Sequence, residues 1–374
     1  MREDKENPSF VDSLAGDTKQ GSDDAAALPG RLDRYSKAHH RALDMADYIN
    51  TEIKDKRFSH LPTLLKSCGN YLLFRDYFRI GKVRLHSMRS CRLHLICPFC
   101  AIRRGTKVMK TYLDRLQVIL NGSPGLRVFH VVFTIKNGED LGERFKHLQS
   151  SLQAYHAQRR ESIKGRRSPV EANKASGAFW SYEFKRGEGS GLWHPHLHAI
   201  WLCEETPDEK QLKKEWEAVT GDSFNVHIRE VSGDPVPAFL EVFKYAVKFS
   251  DMPLSQNWEG YQELKGKRLI SSFGSFRGVD VPDDLNDDNV DLFDEPFIEL
   301  LYRFARGAGY AIETVSKVQQ APERVFDGAP RSNLLNQLSH DLQTAHRQKA
   351  DHLKRKEKLN HETESYQSLV HSEF

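Results

Sequence analysis

Three histidines at alternate positions, His194, His196 and His198, are the side chains whose types and spacing best suit chemistry. The surrounding segment WHPHLHAIWL predicts a β-strand, in which successive side chains point to opposite faces of a sheet. The alternate positions from Trp193 to Trp201 are apolar and suit a core, so the imidazoles would share the other face. Imidazole binds transition metals, which predicts a metal site. The alternative is a chance cluster in a chain with 17 histidines.

A carboxylate on the preceding strand is a candidate partner for these histidines. Residues 177–184 read as a strand, and the Gly-rich segment KRGEGSGL suits an antiparallel hairpin between the two strands. Glu183 lies near the end of the first strand, where pairing could place it beside the imidazoles. The result would be a His/His/Glu site with open coordination positions, as metal-assisted catalysis requires. An ordinary exposed carboxylate is an equally good interpretation of Glu183.

A later segment, VPAFLEVFKYAVKFSD, predicts an amphipathic helix with one apolar stripe. Glu241, Tyr245 and Lys248 follow one another at positions i, i+4 and i+7. We therefore expect a carboxylate, a phenol and an ammonium on the face opposite the stripe. The alternative is a solvated helix face that carries a Glu–Lys pair.

Cysteine spacing predicts a second metal site, of structural type. The candidate ligands are Cys68, Cys91, Cys97 and Cys100. The CPFC segment supplies two thiolates from one tight turn, and a predicted hairpin around Ile80–Gly81 would bring in the others to form a tetrahedral zinc site. We expect no leader and therefore a reducing compartment, which argues against a disulfide framework for the five cysteines. The alternatives are a histidine ligand, His86 or His94, or a redox CxxC pair, with Cys203 a buried thiol in either case.

Charge is unevenly distributed, although the net charge is only +3. The region from Arg89 to Lys110 contains basic residues and no acid, and the region from Asp283 to Glu299 contains acids and no base. The candidate DNA-binding residues are Arg103, Arg104, Lys107 and Lys110. A basic run is more often a solvated helix face, so this evidence is weak without further context. The acidic stretch would be a linker or a negative cover that limits non-specific DNA binding.

Several of these motifs in one order resemble a known family. The HPHLH strand, the following EVFKYAVK helix and the preceding segment CRLHLICPFCAIRRG resemble plasmid rolling-circle replication initiators, the Rep proteins of the HUH endonuclease superfamily, over roughly residues 68–275. The resemblance implies an α+β fold. A central antiparallel sheet would carry the His-hydrophobe-His strand with helices packed on it, after a small Cys-rich zinc-binding module.

The resemblance also implies roles for the candidate residues. His196 and His198 would bind Mg²⁺ or Mn²⁺, with Glu183 as a third ligand and His194 as an additional candidate. Tyr245 would be the nucleophile of a site-specific DNA endonuclease and strand transferase. It would form a 5′-phosphotyrosyl intermediate and leave a free 3′-hydroxyl as primer. Two further residues would assist it. Lys248 would accompany the tyrosine, and Glu241 would act when the replication round ends.

The implied partners are single-stranded or hairpin origin DNA of the plasmid, and a host helicase and DNA polymerase. Other functions stay open. They are a relaxase or transposase of the same superfamily, a metal-dependent phosphodiesterase that activates water, and a non-catalytic zinc-bearing DNA-binding protein.

The predicted organisation has four parts. Residues 1–60 form a polar, partly disordered extension, 61–105 the Cys-rich module, 106–280 the HUH endonuclease core, and 281–374 an acidic linker with a charged helical or disordered extension. No apolar run approaches the roughly 18 residues of a membrane span, and the N-terminus lacks the apolar segment of a signal peptide. We therefore expect a cytoplasmic protein without a membrane partner.

Overall fold

Helices and strands follow one another between Phe10 and Val315 in a computed structural model that describes residues 9–187, 189–288, 292 and 295–319. The helices are α1 (Phe10–Thr18), α2 (Leu28–Glu52), α3 (Leu61–Ser67), α4 (Pro98–Gly122), α5 (Leu141–Ile163), α6 (Glu209–Thr220), α7 (Val236–Phe243), α8 (Tyr245–Asp251) and α9 (Leu254–Leu264). The strands are β1 (Tyr71–Tyr77), β2 (Lys82–Met88), β3 (Arg127–Thr134), β4 (Ala175–Arg186), β5 (Trp193–Cys203), β6 (Val226–Val231), β7 (Ile270–Gly274), β8 (Ile298–Ala305) and β9 (Gly309–Val315).

The histidine strand, β5, lies in the middle of a five-stranded sheet. The strand order is β6-β3-β5-β4-β7, and each neighbouring pair is antiparallel. β5 therefore has β3 on one side and β4 on the other, and both can contribute side chains to the face that carries the imidazoles. The α+β class and the antiparallel sheet are confirmed.

Helices cover both faces of this sheet. On one face Phe133 packs against Trp216 of α6, with ring centroids 4.8 Å apart, and Trp201 lies beside Phe133. On the other face the ring of Phe179 lies 4.5 Å from that of Tyr112 in α4. The apolar positions of the histidine strand face α6, as their alternation predicts, so the imidazoles lie on the face covered by α4.

A second antiparallel sheet has the strand order β2-β1-β8-β9. The β1–β2 hairpin matches the hairpin predicted around Ile80–Gly81, and Gly81 has a φ of 66°, a backbone conformation that favours glycine. The sequence predicts an acidic linker from residue 281 onward, but the structure contains two strands there, β8 and β9. Ile298, Leu300 and Tyr302 alternate as apolar strand residues directly after the acidic run, and Phe74 pairs with Leu300 across the sheet.

The N-terminal segment also differs from the predicted polar extension. α2 carries a stripe of buried side chains at spacings of three and four residues: Tyr35, Ala38, Ala42, Met45 and Ile49. This spacing places them on one side of the helix. Because two of them are alanines and the intervening residues are polar, the amino-acid composition of this segment does not reveal the apolar stripe. Residues 1–8 lie outside the described part of the chain, as does the predicted C-terminal extension from residue 320 onward.

In the part of the chain that the structure describes, no helix combines the length and apolar character needed to cross a membrane.

Candidate functional site

Strand register brings Glu183 to the histidines. In the β4–β5 pair Glu183 lies opposite His196, and the next pair on this face joins Ser181 to His198. Oε1 of Glu183 is 3.1 Å from Nε2 of His196, and Oε2 is 3.4 Å from Nε2 of His198. Their ligand atoms all lie within 4.8 Å of one another. We call these three residues the HHE cluster.

Burial makes the HHE cluster a good fit for a cation. The side chain of Glu183 is fully buried, and both histidines are 7% exposed. Oε2 of Glu183 and Nε2 of His198 face each other across 3.4 Å, and neither has another hydrogen-bond partner among the described residues. A buried polar atom left without a partner costs about 1–3 kcal/mol, and a cation bound between these two atoms would satisfy both. Two imidazole nitrogens and one carboxylate form a donor set suited to a divalent metal ion.

Further hydrogen bonds orient the histidines of β5. Nδ1 of His196 lies 3.3 Å from the carbonyl oxygen of His194, and Nδ1 of His198 lies 3.1 Å from Nε2 of His130 in β3. His194 does not join the HHE cluster, and its Nδ1 lies 2.7 Å from Oδ1 of Asn137. His130 is not among the residues that the sequence motifs predict. Its one signal is that it is a polar residue in the apolar strand RVFHVVFT.

The charges around Glu183 keep it ionised. Burial alone would raise the pKa of this carboxyl, but His196, His198 and Lys248 outweigh burial and hold the pKa well below its usual value. Lys248 of α8 donates a hydrogen bond to Oε1 of Glu183. Burial lowers the pKa of His130 to about 4, with a further contribution from His198, so the His130 ring favours its neutral form.

The helix that carries Tyr245 is interrupted, and this corrects the prediction of one shared face. α7 ends at Phe243 and α8 begins at Tyr245, because Lys244 between them has a ψ of −7°. A regular α-helix has ψ near −42°, so the residues after Lys244 are rotated about the axis. Glu241 pairs with Lys244, and Lys248 reaches Glu183. His198 and Lys248 both contribute to lowering the pKa of Glu241, so Glu241 lies near the HHE cluster, whereas Tyr245 lies beside Arg104.

Tyr245 is buried against α4 and lies outside the HHE cluster. Its side chain is 6% exposed and borders a small cavity with Ala101, Arg104 and Val108 of α4. Burial raises the pKa of the phenol to about 12, although Arg104 acts in the opposite direction. The structure therefore brings Lys248 to the HHE cluster but does not bring the phenol there.

The four predicted zinc ligands lie together. The closest sulfur pairs are Cys68 and Cys100 at 3.4 Å, Cys91 and Cys100 at 3.6 Å, and Cys68 and Cys97 at 3.6 Å. All are free thiols, and one sulfur from each lies within 4.8 Å of the others. Cys203 lies apart from this group as a buried thiol, as expected. The group contains neither of the histidines considered as substitute ligands.

The predicted DNA-binding residues do not form a free basic face. Arg103 is 2% exposed and donates to Asp287 at 2.7 Å, and Lys107 is 7% exposed and pairs with Asp288 at 3.0 Å. The exposed Lys110 pairs with the same Asp288 at 3.1 Å. The structure thus corrects the interpretation of Arg103 and Lys107, which bind the acidic run of the same chain. Arg104 lies beside Tyr245 instead.

Comparisons with known proteins give a consistent result. Residues 82–297, more than half of the 374-residue chain, match the sequence profile of a family described as "Replication protein". A protein of Bacillus sp named "Protein rep" is 27% identical over 218 residues, which cover 50% of this chain and 66% of that protein. The chain therefore spans just under two thirds of the length of this relative. No solved structure matches the chain. The matched region contains the HHE cluster and Tyr245.

Proposed function

The chain belongs to this replication protein family, and from that premise we propose that it initiates rolling-circle replication of a plasmid by nicking one DNA strand at the origin. The observation that carries the proposal is the HHE cluster, which is buried and brings two imidazole nitrogens and a carboxylate oxygen within 4.8 Å of one another. We propose that it holds Mg²⁺ or Mn²⁺ and that the four cysteines hold Zn²⁺.

The protein's own groups would prepare the scissile phosphate for attack. When bound, a divalent ion supplies positive charge that neutralises a non-bridging phosphate oxygen. His196, His198 and Glu183 would hold it at the centre of the sheet, on the face that α8 crosses. Lys248 would add a second positive charge, which can stabilise either the phosphate or a phenolate.

Tyr245 is the proposed nucleophile. Its phenolic oxygen would form a bond to phosphorus while the bond from phosphorus to the 3′-oxygen breaks. The product would be a 5′-phosphotyrosine and a 3′-hydroxyl, with the phenolic proton passing to the leaving oxygen through solvent or a neighbouring base. Since the phenol is buried beside Arg104, attack requires α8 to move. α8 has seven residues and follows the break at Lys244, and we propose that the backbone bends at this break.

Glu241 would act late in the cycle. Its carboxylate is bound to Lys244, and the positive charge of Lys244 holds the pKa of Glu241 below its usual value against the effect of burial. An ionised carboxylate near the HHE cluster can accept a proton from water or from a 3′-hydroxyl that ends the round. The free 3′-hydroxyl formed at the start would serve a host polymerase, with a host helicase that unwinds the duplex.

A tyrosine substitution tests the proposal. The Tyr245→Phe protein is mixed with Mn²⁺ and a labelled single-stranded oligonucleotide of the plasmid origin, and adducts are separated by denaturing electrophoresis. We expect the covalent band of the wild type to be absent. Tyr112→Phe is the matched control, because Tyr112 is also 6% exposed and packs on the same face of the sheet. A covalent band from Tyr245→Phe would contradict the assignment of the nucleophile.

The position of Tyr245 also favours a second candidate, a metal-dependent phosphodiesterase in which water is the nucleophile. In that case Tyr245→Phe would cut DNA at the wild-type rate, and the product would carry a free 5′-phosphate or 3′-phosphate. Loss of all cutting in Glu183→Gln, together with loss of Mn²⁺ binding, is expected for both candidates. A protein that binds DNA but never cuts it with any divalent ion would contradict both.

A further inference from the structure

His130 is a buried polar residue in an otherwise apolar strand. Its side chain is 8% exposed, and the flanking residues of β3 are valines and phenylalanines. Its ring lies almost parallel to the ring of His198, with 7° between the planes, and its Nε2 is 3.1 Å from Nδ1 of His198. His130 therefore contacts a proposed ligand from the side opposite the ligand atom, and it is not itself a member of the HHE cluster.

The hydrogen between these two nitrogens can belong to only one ring. If Nε2 of His198 binds a metal ion, that nitrogen carries no hydrogen, so the neutral ring carries its hydrogen on Nδ1. Nδ1 must then donate, and Nε2 of His130 must accept. The same logic holds for His196, whose Nδ1 faces the carbonyl oxygen of His194, a group that can only accept.

From this geometry we propose that His130 is a positioning residue, which fixes the tautomer and ring orientation of His198 so that its Nε2 is presented to the metal ion. The inference rests on the metal centre of the proposed function. A leucine at this position would fill a similar volume but would leave Nδ1 of His198 without an acceptor. Loss of such an outer hydrogen-bond partner typically weakens metal binding by about 10- to 100-fold.

Two substitutions separate hydrogen bonding from packing. His130→Leu removes the acceptor, whereas His130→Gln keeps an amide oxygen near the position of Nε2. Mn²⁺ affinity is measured by electron paramagnetic resonance on the full chain without DNA. We expect binding about 10- to 100-fold weaker for the leucine variant and within about threefold of the wild type for glutamine. His156→Leu is the control, because its ring packs 4.8 Å from Trp180 on the opposite face of the sheet.

A second readout reports the tautomer itself. In the protein saturated with diamagnetic Mg²⁺, ¹⁵N spectra of the imidazoles should show His198 with its hydrogen on Nδ1 in the wild type and the glutamine variant. In the leucine variant a fraction of His198 should carry the hydrogen on Nε2, where the carboxylate of Glu183 can accept it, and that fraction does not bind the ion. Near-UV circular dichroism checks folding, and His130→Met replaces the leucine variant if that variant does not fold.

The outcomes are distinguishable. Equal Mn²⁺ affinity of wild type and His130→Leu overturns the inference while leaving the metal centre intact. So does an equal loss in the glutamine and leucine variants, since the acceptor would then not be what matters. A wild type that binds no Mn²⁺ overturns the metal centre of the proposed function and the inference together.

Discussion

Lys248 donates a hydrogen bond to Oε1 of Glu183, the same oxygen that lies 3.1 Å from Nε2 of His196. The carboxylate is fully buried and the lysine side chain is 26% exposed, so the ammonium is a cation that balances the buried charge from the edge of the site. A divalent ion at the HHE cluster would repel this ammonium. Because Lys248 and Tyr245 lie on the same short helix, metal binding and the position of the proposed nucleophile would be linked.

Removal of this ammonium is expected to separate metal binding from cleavage. In Lys248→Met the carboxylate has lost its competing cation, so Mn²⁺ should bind about 3- to 10-fold more tightly, a difference of about 1 kcal/mol. Nicking should be slower, because the charge that stabilises the phosphate or phenolate is gone. Metal titration and single-turnover cleavage measure the two effects. Lys213→Met, which removes a lysine bound to Glu209 on α6, should change neither. Weaker Mn²⁺ binding in Lys248→Met would contradict the competition.

The cysteine group is expected to bind one zinc ion that holds the start of α4. Cys97 directly precedes this helix and Cys100 lies in its first turn. Cys97→Ser should reduce the zinc content from about one equivalent to near zero and lower the melting temperature by several degrees, because a structural metal site contributes to folding. Elemental analysis and thermal unfolding test this expectation. Cys203→Ser is the matched control and should keep its zinc. Full zinc content in Cys97→Ser would contradict the assignment.

The sequence predicts the metal half of the site well, because a two-residue period and a short hairpin are local properties. Strand alternation places His196 and His198 on one face, and the hairpin places Glu183 opposite His196. His130 obeys the same alternation in β3, but its partner His198 is 68 residues away along the chain. The register that joins β3 to β5 is a long-range property, and no local pattern reveals it.

Two other predictions failed for physical reasons of the same kind. The prediction that Glu241 and Tyr245 share a face assumes an uninterrupted helix. The break at Lys244 contains neither glycine nor proline, so the sequence gives no sign of it. A basic run does not distinguish a DNA-binding face from an internal ion pair. Arg103 is buried because Asp287, 184 residues later, folds back onto it.

The carboxylate of Asp287 predicts how stability changes in acid. It accepts hydrogen bonds from Arg31 and Arg103, and these two cations hold its pKa well below its usual value although burial acts in the opposite direction. An unfolded aspartate has a pKa of about 3.9, so the unfolded chain binds this proton more readily. The stabilisation is therefore complete at neutral pH and is lost as the pH falls from about 5 towards the folded pKa.

The Asp287→Asn variant tests this dependence. It should lose about 3–5 kcal/mol of unfolding free energy at pH 7, since two buried guanidinium groups lose the anionic partner that they share. In urea unfolding experiments between pH 7 and pH 3, the unfolding free energy of the variant should fall less with decreasing pH than that of the wild type. Asp33→Asn, which removes an exposed partner of Lys37, is expected to change stability by less than about 1 kcal/mol. If the unfolding free energy of Asp287→Asn falls with pH as steeply as that of the wild type, other carboxyl groups determine the acid sensitivity.

The acidic run is expected to limit non-specific DNA binding through one carboxylate. Asp288 is bound to both Lys107 and Lys110, and Lys110 is the exposed member of the pair, with 57% of its side chain accessible. In Asp288→Asn this lysine becomes available to a phosphate. Affinity for a single-stranded oligonucleotide without the origin sequence should rise about two- to fivefold. The slope of log affinity against log salt should steepen by about 0.7, the value for one phosphate contact on a single strand. Fluorescence anisotropy at several salt concentrations measures both quantities.

Asp280→Asn changes the net charge equally within the neighbouring exposed segment and should leave the slope unchanged. If the two variants behave alike, net charge rather than release of Lys110 explains the effect, and the contact between Asp288 and α4 serves only to hold the acidic run in place.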